Sequence, residues 1–195
     1  LHKPNKEKLY SLFERLELRV LLRKLGAEPV DTEDHSKIIT YETIYTDTQL
    51  DEWLSKIKNA DLTAIDTETT SLNYMQAEIV GLSLAIEAGK GAYIPLAHRY
   101  AGAPEQLDRD KVLKILKPWL ESPAKKVGHH LKYDAHIFFN YGIFLKGIAY
   151  DSMLESFVLN STATRHDMGS VASKYLKKKT TKYEEVAGKG AKQIC

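Results

Sequence analysis

The 195-residue sequence predicts an α/β fold, a mixed sheet flanked by helices. Three observations carry that prediction. Residues 62–70 begin as a buried strand and end in two carboxylates. Residues 78–87 and 91–97 read as two strands joined by a short Gly-containing turn, which makes three antiparallel neighbours. From residue 108 onward, short strand-like runs alternate with amphipathic helices. No sequence period recurs, so a solenoid is excluded.

The elements follow in order. Residues 4–25 predict one amphipathic helix, with Pro4 in its first turn and Leu9, Leu12, Phe13, Leu16 and Val20 on one face. Gly26 is its stop. Residues 27–37 are polar and contain Pro29, which predicts a linker. The helix before them then belongs with a preceding domain, or packs as the first helix of this one. Residues 38–45 are rich in β-branched and aromatic side chains and predict a strand. Thr46 caps a helix over 47–59, with Leu50, Trp53, Leu54 and Ile57 inward. The acidic strand comes next, then a turn at 71–73 and the two hairpin strands. Pro95 predicts that the last of these lies at a sheet edge. Asp108 opens a helix carrying Val112, Leu113, Leu116 and Leu120. A short strand is expected over 125–129, a helix over 131–141 ended by Gly142, and a strand over 144–150. Ser152 and Glu155 have capping-box spacing for a further helix, with Asp151 the second cap candidate. His166 and Asp167 start one more helix, running to about residue 176.

Hydrophobic residues at 43% and charged ones at 28% are ordinary for a soluble globular chain. The net charge is +2, but from Arg165 to the end eight Lys or Arg face three acids, a local +5. Such an end suits a polyanion or a solvated face. The one cysteine, Cys195, leaves no internal disulfide and fits a reducing compartment. No apolar run reaches membrane-spanning length, and no signal-peptide layout opens the chain. It does not begin with Met and ends abruptly, which predicts a piece of something longer.

Asp66 and Glu68 are separated by one residue in a strand, so both point to one face and Thr67 to the other. Side by side they repel unless a cation sits between them, and hard dications such as Mg²⁺ choose carboxylate oxygens. The plain alternative is a solvated acidic strand end. Asp134 is a second acid, one turn into a helix, where the helix dipole alone also favours it. Lys132 and Tyr133 beside it suit phosphate and bases. His129, His130 and His136 lack zinc-site spacing, and adjacent histidines on an extended run face opposite ways. They read as polar contacts, with His130 a ligand contact. Arg165 is a surface residue or a phosphate contact. Lys177, Lys178 and Lys179 form a solvated helix end or lie near DNA. Gly188, Lys189 and Gly190 lack P-loop spacing.

Seven segments together resemble the 3′→5′ exonuclease domain of bacterial DNA polymerase I: residues 65–69 with Ser71 and Leu72, then 80–87, 92–98, 131–134, 151–156, 165–168 and 184–190. The similarity runs from about residue 38 to the end. Residues 1–26 resemble the last helix of the 5′-nuclease domain that precedes it in the family. The resemblance implies an RNase H-like fold, incomplete at its C-terminal end. It implies a two-metal site, with Mg²⁺ or Mn²⁺ on Asp66, Glu68 and Asp134, that hydrolyses the terminal phosphodiester of a single-stranded 3′ DNA end and releases 5′-nucleoside monophosphates. Leu72 matches a wedge between the last two bases, Met153 an apolar contact, Tyr133 and Tyr183 aromatic positions, and Arg165 a phosphate or sugar contact. His129 and His130 stand where a relative has two amides. Polymerase and 5′-nuclease domains of the same polypeptide, a bacterial cytoplasm and a monomeric state are implied with it. The family's third motif, Tyr-x-x-x-Asp, does not occur before Cys195, so the isolated chain is expected to be a poor nuclease. Two other readings compete: a non-catalytic scaffold module of a polymerase, and an RNA-trimming exonuclease similar to ribonuclease D. The three retained acids argue against the first. The N-terminal helix and the Gly-Lys-Gly segment argue against the second.

Overall fold

The computed structural model describes residues 4–16, 18–26, 40–162, 165–178, 180–181 and 185. The chain divides into two compact units, Leu1–Asp34 and His35–Cys195. In the first, α1 (Lys6–Arg15) and α2 (Arg19–Lys24) stand where one continuous helix is predicted. Leu16 leaves helical geometry, and its N–H closes α1 onto Leu12 and Glu14. Asn5 caps α1 by accepting from the Lys8 N–H, which puts Pro4 just outside the helix. Gly26 takes a positive φ of 72°, consistent with a helix stop. The predicted linker, 27–37, lies outside the described residues.

The second unit is built on a six-stranded sheet in the order β1-β4-β3-β2-β5-β6. Its strands are β1 (Thr40–Thr43), β2 (Thr63–Thr69), β3 (Ile79–Glu87), β4 (Lys90–Pro95), β5 (Lys126–Gly128) and β6 (Ile148–Asp151). β2, β3 and β4 pair antiparallel, as the hairpin reading requires. β1 pairs parallel with β4, and β5 and β6 continue parallel beyond β2. Pro95 therefore does not mark an edge. It is the last residue of β4, past the final β1 pair, Thr43 with Tyr93. The Leu96 N–H donates to Val80 on β3, so by alternation the Pro95 nitrogen faces the β1 side where no ladder bond is needed.

Five further helices are α3 (Asp47–Asn59), α4 (Arg109–Leu120), α5 (Leu131–Asn140), α6 (Ser152–Leu159) and α7 (Met168–Val171), which continues as a π turn through Leu176. Thr46 and Gln49 form a reciprocal capping box on α3, and Asp108 caps α4. Gly142 ends the α5 region at φ 68°. Capping of α6 departs from the expectation. Ser152 is its first helical residue, and Asp151 is the cap, accepting from Met153 and Leu154 N–H. A carboxylate with two acceptor oxygens, placed before the first turn, outcompetes the Ser-x-x-Glu pattern.

The core lies on one face of the sheet. Ile65, Leu82, Leu84, Ala92 and Ile94 are buried there in one cluster with Leu50, Trp53 and Ile57 of α3, Val112 and Leu116 of α4, and Ile137 and Phe138 of α5. The registers put Asp66, Glu68, Gly81, Ser83 and Tyr93 on the opposite face, where side chains are small or polar. Among the described residues, no helix is long and apolar enough to cross a membrane.

Candidate active site

β2, β5 and β6 run parallel, so their C-terminal ends lie along one margin of the sheet. Ligand sites of open α/β sheets gather at such margins. Here that margin collects Asp66 and Glu68 from β2, the turn carrying Leu72, the segment with His129 and His130, the first turn of α5, and the start of α6.

Asp66 and Glu68 share a face, opposite Ser83 and Gly81 of β3. The register then shifts at Thr69, which pairs with Ile79 and leaves Val80 as the extra residue of a bulge. A bulge bends the strand and re-aims the side chains next to it. Asp134, only 2% exposed, comes from α5. Its Oδ1 accepts from the Thr67 N–H at 2.9 Å and from the Thr67 hydroxyl at 2.6 Å. Thr67 faces away from Asp66 and Glu68, so one strand presents acids on one side and the donors that hold the third acid on the other. Thr67 has no signal in the sequence beyond its alternation. Its role depends on where α5 lands.

The three carboxylates feel one another. Burial first, then Asp134 and Glu68, push Asp66 up to about 7. Glu68, at the exposed strand end, is raised by what covers it and by Asp134. Burial also raises Asp134, against the opposing pull of the Thr67 hydrogen bonds. The donor set is that of a hard dication: carboxylate oxygens, crowded so that a cation would relieve their repulsion. Among the described residues, however, no three His, Cys, Asp or Glu side chains stand close enough to ligate one ion. The chemistry fits a divalent metal. Asp66 and Glu68 share a face, and Asp134 is engaged by Thr67.

Around the acids, Tyr133 donates its hydroxyl to the Ser71 carbonyl and pairs with the Thr69 hydroxyl, both at 2.6 Å. That ties α5 to the turn bearing Leu72, which is 94% exposed. β5 ends at Gly128, so His129 and His130 do not continue an extended run, and His130 is left-handed at φ 69°. His129 Nδ1 is 3.0 Å from the Ser152 hydroxyl. Asp151 is the pivot of the margin. Its Oδ1 accepts from His130, Met153 and Leu154 N–H, and its Oδ2 accepts from the Leu131 N–H at 2.8 Å. One carboxylate thus holds the starts of α5 and α6 together, and through them His130 and Met153. Burial alone would raise Asp151, but these four backbone donors hold it below the usual carboxylate range. Arg165 is exposed, 3.8 Å from Asp167, and is not drawn to this margin by any hydrogen bond among the described residues. Tyr183 lies outside the described residues.

Residues 41–195 match the sequence model of the 3′-5′ exonuclease family. The chain belongs to that family. It is 48% identical over 201 residues to the DNA polymerase I of Pseudomonas aeruginosa, an alignment covering 98% of this chain and 22% of that protein. It is 35% identical to the DNA polymerase I of Rhizobium leguminosarum, covering 83% of this chain and 17% of that one. The chain therefore spans about a fifth of the length of these curated relatives. The fold is RNase H-like. Escherichia coli RNase D, an exoribonuclease, superposes with a TM-score of 0.55 at 19% identity, covering 75% of this chain and 36% of that one. At that identity the likeness is one of fold. Exonucleases of this family act by hydrolysis.

Proposed function

We propose that this 3′-5′ exonuclease domain proofreads DNA within a DNA polymerase I, removing nucleotides one at a time from a single-stranded or frayed 3′ end. The observation that carries the reading is the Asp66–Glu68 pair on one face of β2, next to the bulge at Val80, with Asp134 held to the same strand through Thr67, the pair raised by burial first and then by neighbouring carboxylates. Asp66, Glu68 and Asp134 are the residues that would hold Mg²⁺ or Mn²⁺. When bound, two such ions would activate a water and stabilise the leaving 3′ oxygen. The protein's own part is to bring the acids and the DNA end to one margin. Leu72 stands out from its turn as an apolar wedge. Tyr133 fixes that turn and offers a ring to stack on a base, an interaction worth roughly 1–3 kcal/mol. His129 and His130 line the neighbouring segment and can donate to the strand, and Met153 adds an apolar contact. Arg165 and Tyr183 are assigned to phosphate and base contacts on the family resemblance.

In this reading residues 1–26 are the helical tail of a 5′-nuclease domain, 27–37 a linker, and 38–195 the exonuclease domain. The full polypeptide also carries a polymerase domain and works as a monomer in replication and repair in a bacterial cytoplasm, near the nucleoid. Polymerase relatives along nearly the whole chain favour this over RNA trimming. The test is release of 5′-nucleoside monophosphate from a 3′-labelled single-stranded oligonucleotide by the full-length polypeptide, with Mg²⁺ titrated. Asp66→Ala should lower the rate on the order of a hundredfold or more. Equal trimming by the variant would remove Asp66 from the chemistry.

A further inference from the structure

Beside the Asp66–Glu68 pair stands an aromatic side chain that the reading above does not use. Asp66 is opposite Ser83, and Ser83 is opposite Tyr93, so the three form one row across β2, β3 and β4 on the same face. The next row is Glu68, Gly81 and Pro95. Tyr93 leans from its own row into that one, because a Cβ on Gly81 would overlap the Tyr93 hydroxyl. Directly opposed Cβ positions in antiparallel strands lie about 4.5–5.5 Å apart. The Tyr93 hydroxyl therefore lies over Gly81, in the row of Glu68, with His98 and not Glu68 as its hydrogen-bond partner in this structure. The glycine at 81 is what leaves room for it.

The hydroxyl is braced from behind. His98 Nε2 is 2.5 Å from it. His98 is itself fixed by Gln106, which accepts from its N–H at 2.8 Å and donates to its carbonyl at 2.9 Å. Burial holds His98 below its ordinary range, so at neutral pH the ring carries one N–H. Burial, then Glu68, Tyr100 and Asp66, push the Tyr93 phenol up, so it keeps its proton.

We propose that Tyr93 is a positioning residue for the paired carboxylates: its hydroxyl accepts from His98 Nε2–H and offers its own proton to Glu68 when that side chain takes the rotamer that faces Asp66. A glutamate at an exposed strand end has three free torsions. A fixed donor removes that freedom before a substrate arrives. The inference rests on the function proposed above only in what Glu68 is aimed at.

Tyr93→Phe keeps the ring over Gly81 and removes the hydroxyl alone. In the metal-free chain labelled with ¹³C and ¹⁵N, the Glu68 carboxyl carbon should move in Tyr93→Phe while that of Asp134 stays. The wild-type His98 proton should sit on Nε2. An unmoved Glu68 resonance, or a His98 ring protonated on Nδ1 alone, overturns the proposal whether or not a metal binds. Mn²⁺ titration followed by electron paramagnetic resonance gives a second arm. Tyr93→Phe should weaken Mn²⁺ binding on the order of tenfold, as loss of a support behind a metal ligand does. His98→Gln, which keeps a donor, should retain most of the affinity. Equal Mn²⁺ affinity in wild type and Tyr93→Phe overturns the proposal. Asp66→Asn separates the two readings: if it binds Mn²⁺ as well as wild type does, the metal reading fails, and the Glu68 resonance still decides the Tyr93 contact.

Discussion

At the scale of single residues, the burial of neighbouring carboxylates is the dominant feature. Asp66 is held near 7 in the folded chain, far above its unfolded value. The sign follows from linkage: a carboxylate raised by folding favours the folded state while protonated, and that advantage is lost as pH rises. Without metal, its contribution should fall between roughly pH 4, the ordinary carboxylate value, and about 7. Asp66→Asn should flatten this slope and raise the metal-free melting temperature at pH 8, read by calorimetry across that window. A slope unchanged in the variant would place the crowding elsewhere. Leu72 and Leu82 make a contrast of burial. Leu82 is fully buried in the sheet, and Leu72 is 94% exposed. Leu82→Ala should cost about 2–5 kcal/mol in urea unfolding. Leu72→Ala should stay within about 0.5 kcal/mol of wild type, while weakening capture of a frayed 3′ end in a fluorescence titration.

At the scale of elements, the start of α5 and the start of α6 depend on one side chain. Asp151 takes four backbone N–H donors from the two segments. A single N-cap is worth about 1 kcal/mol, and losing two ends at once, in a site 8% exposed, should cost Asp151→Ala about 2–4 kcal/mol. Hydrogen exchange should quicken at Leu131 and Leu154 together. Loosening at only one helix would show that the two ends are independent. Its pH behaviour is opposite to that of Asp66. Folding lowers the Asp151 value, so its stabilisation is present at neutral pH and is lost as pH falls below the ordinary carboxylate range. Element types were largely readable beforehand, because helices α3, α4 and α5 show their apolar faces at helical spacing and end at caps or glycines. Boundaries were less so. The break between α1 and α2 leaves no Pro or Gly in the sequence. The choice of Asp151 over Ser152 as cap is a competition between neighbours that spacing alone does not resolve.

At the scale of the whole molecule, the sequence by itself determined the strand pattern, the hairpin order and the shared face of Asp66 and Glu68. These follow from alternation and turn chemistry, which act over a few residues. Only the tertiary structure decided that β1 returns beside β4, so that the strand ending in Pro95 is an interior one. It also decided that Asp134 binds Thr67 across the strand, and that Tyr93, bonded to His98, lies over Gly81 in the row of Glu68. Each of those contacts joins residues through strand register or helix placement, quantities fixed by how the core packs and written at no single position of the chain.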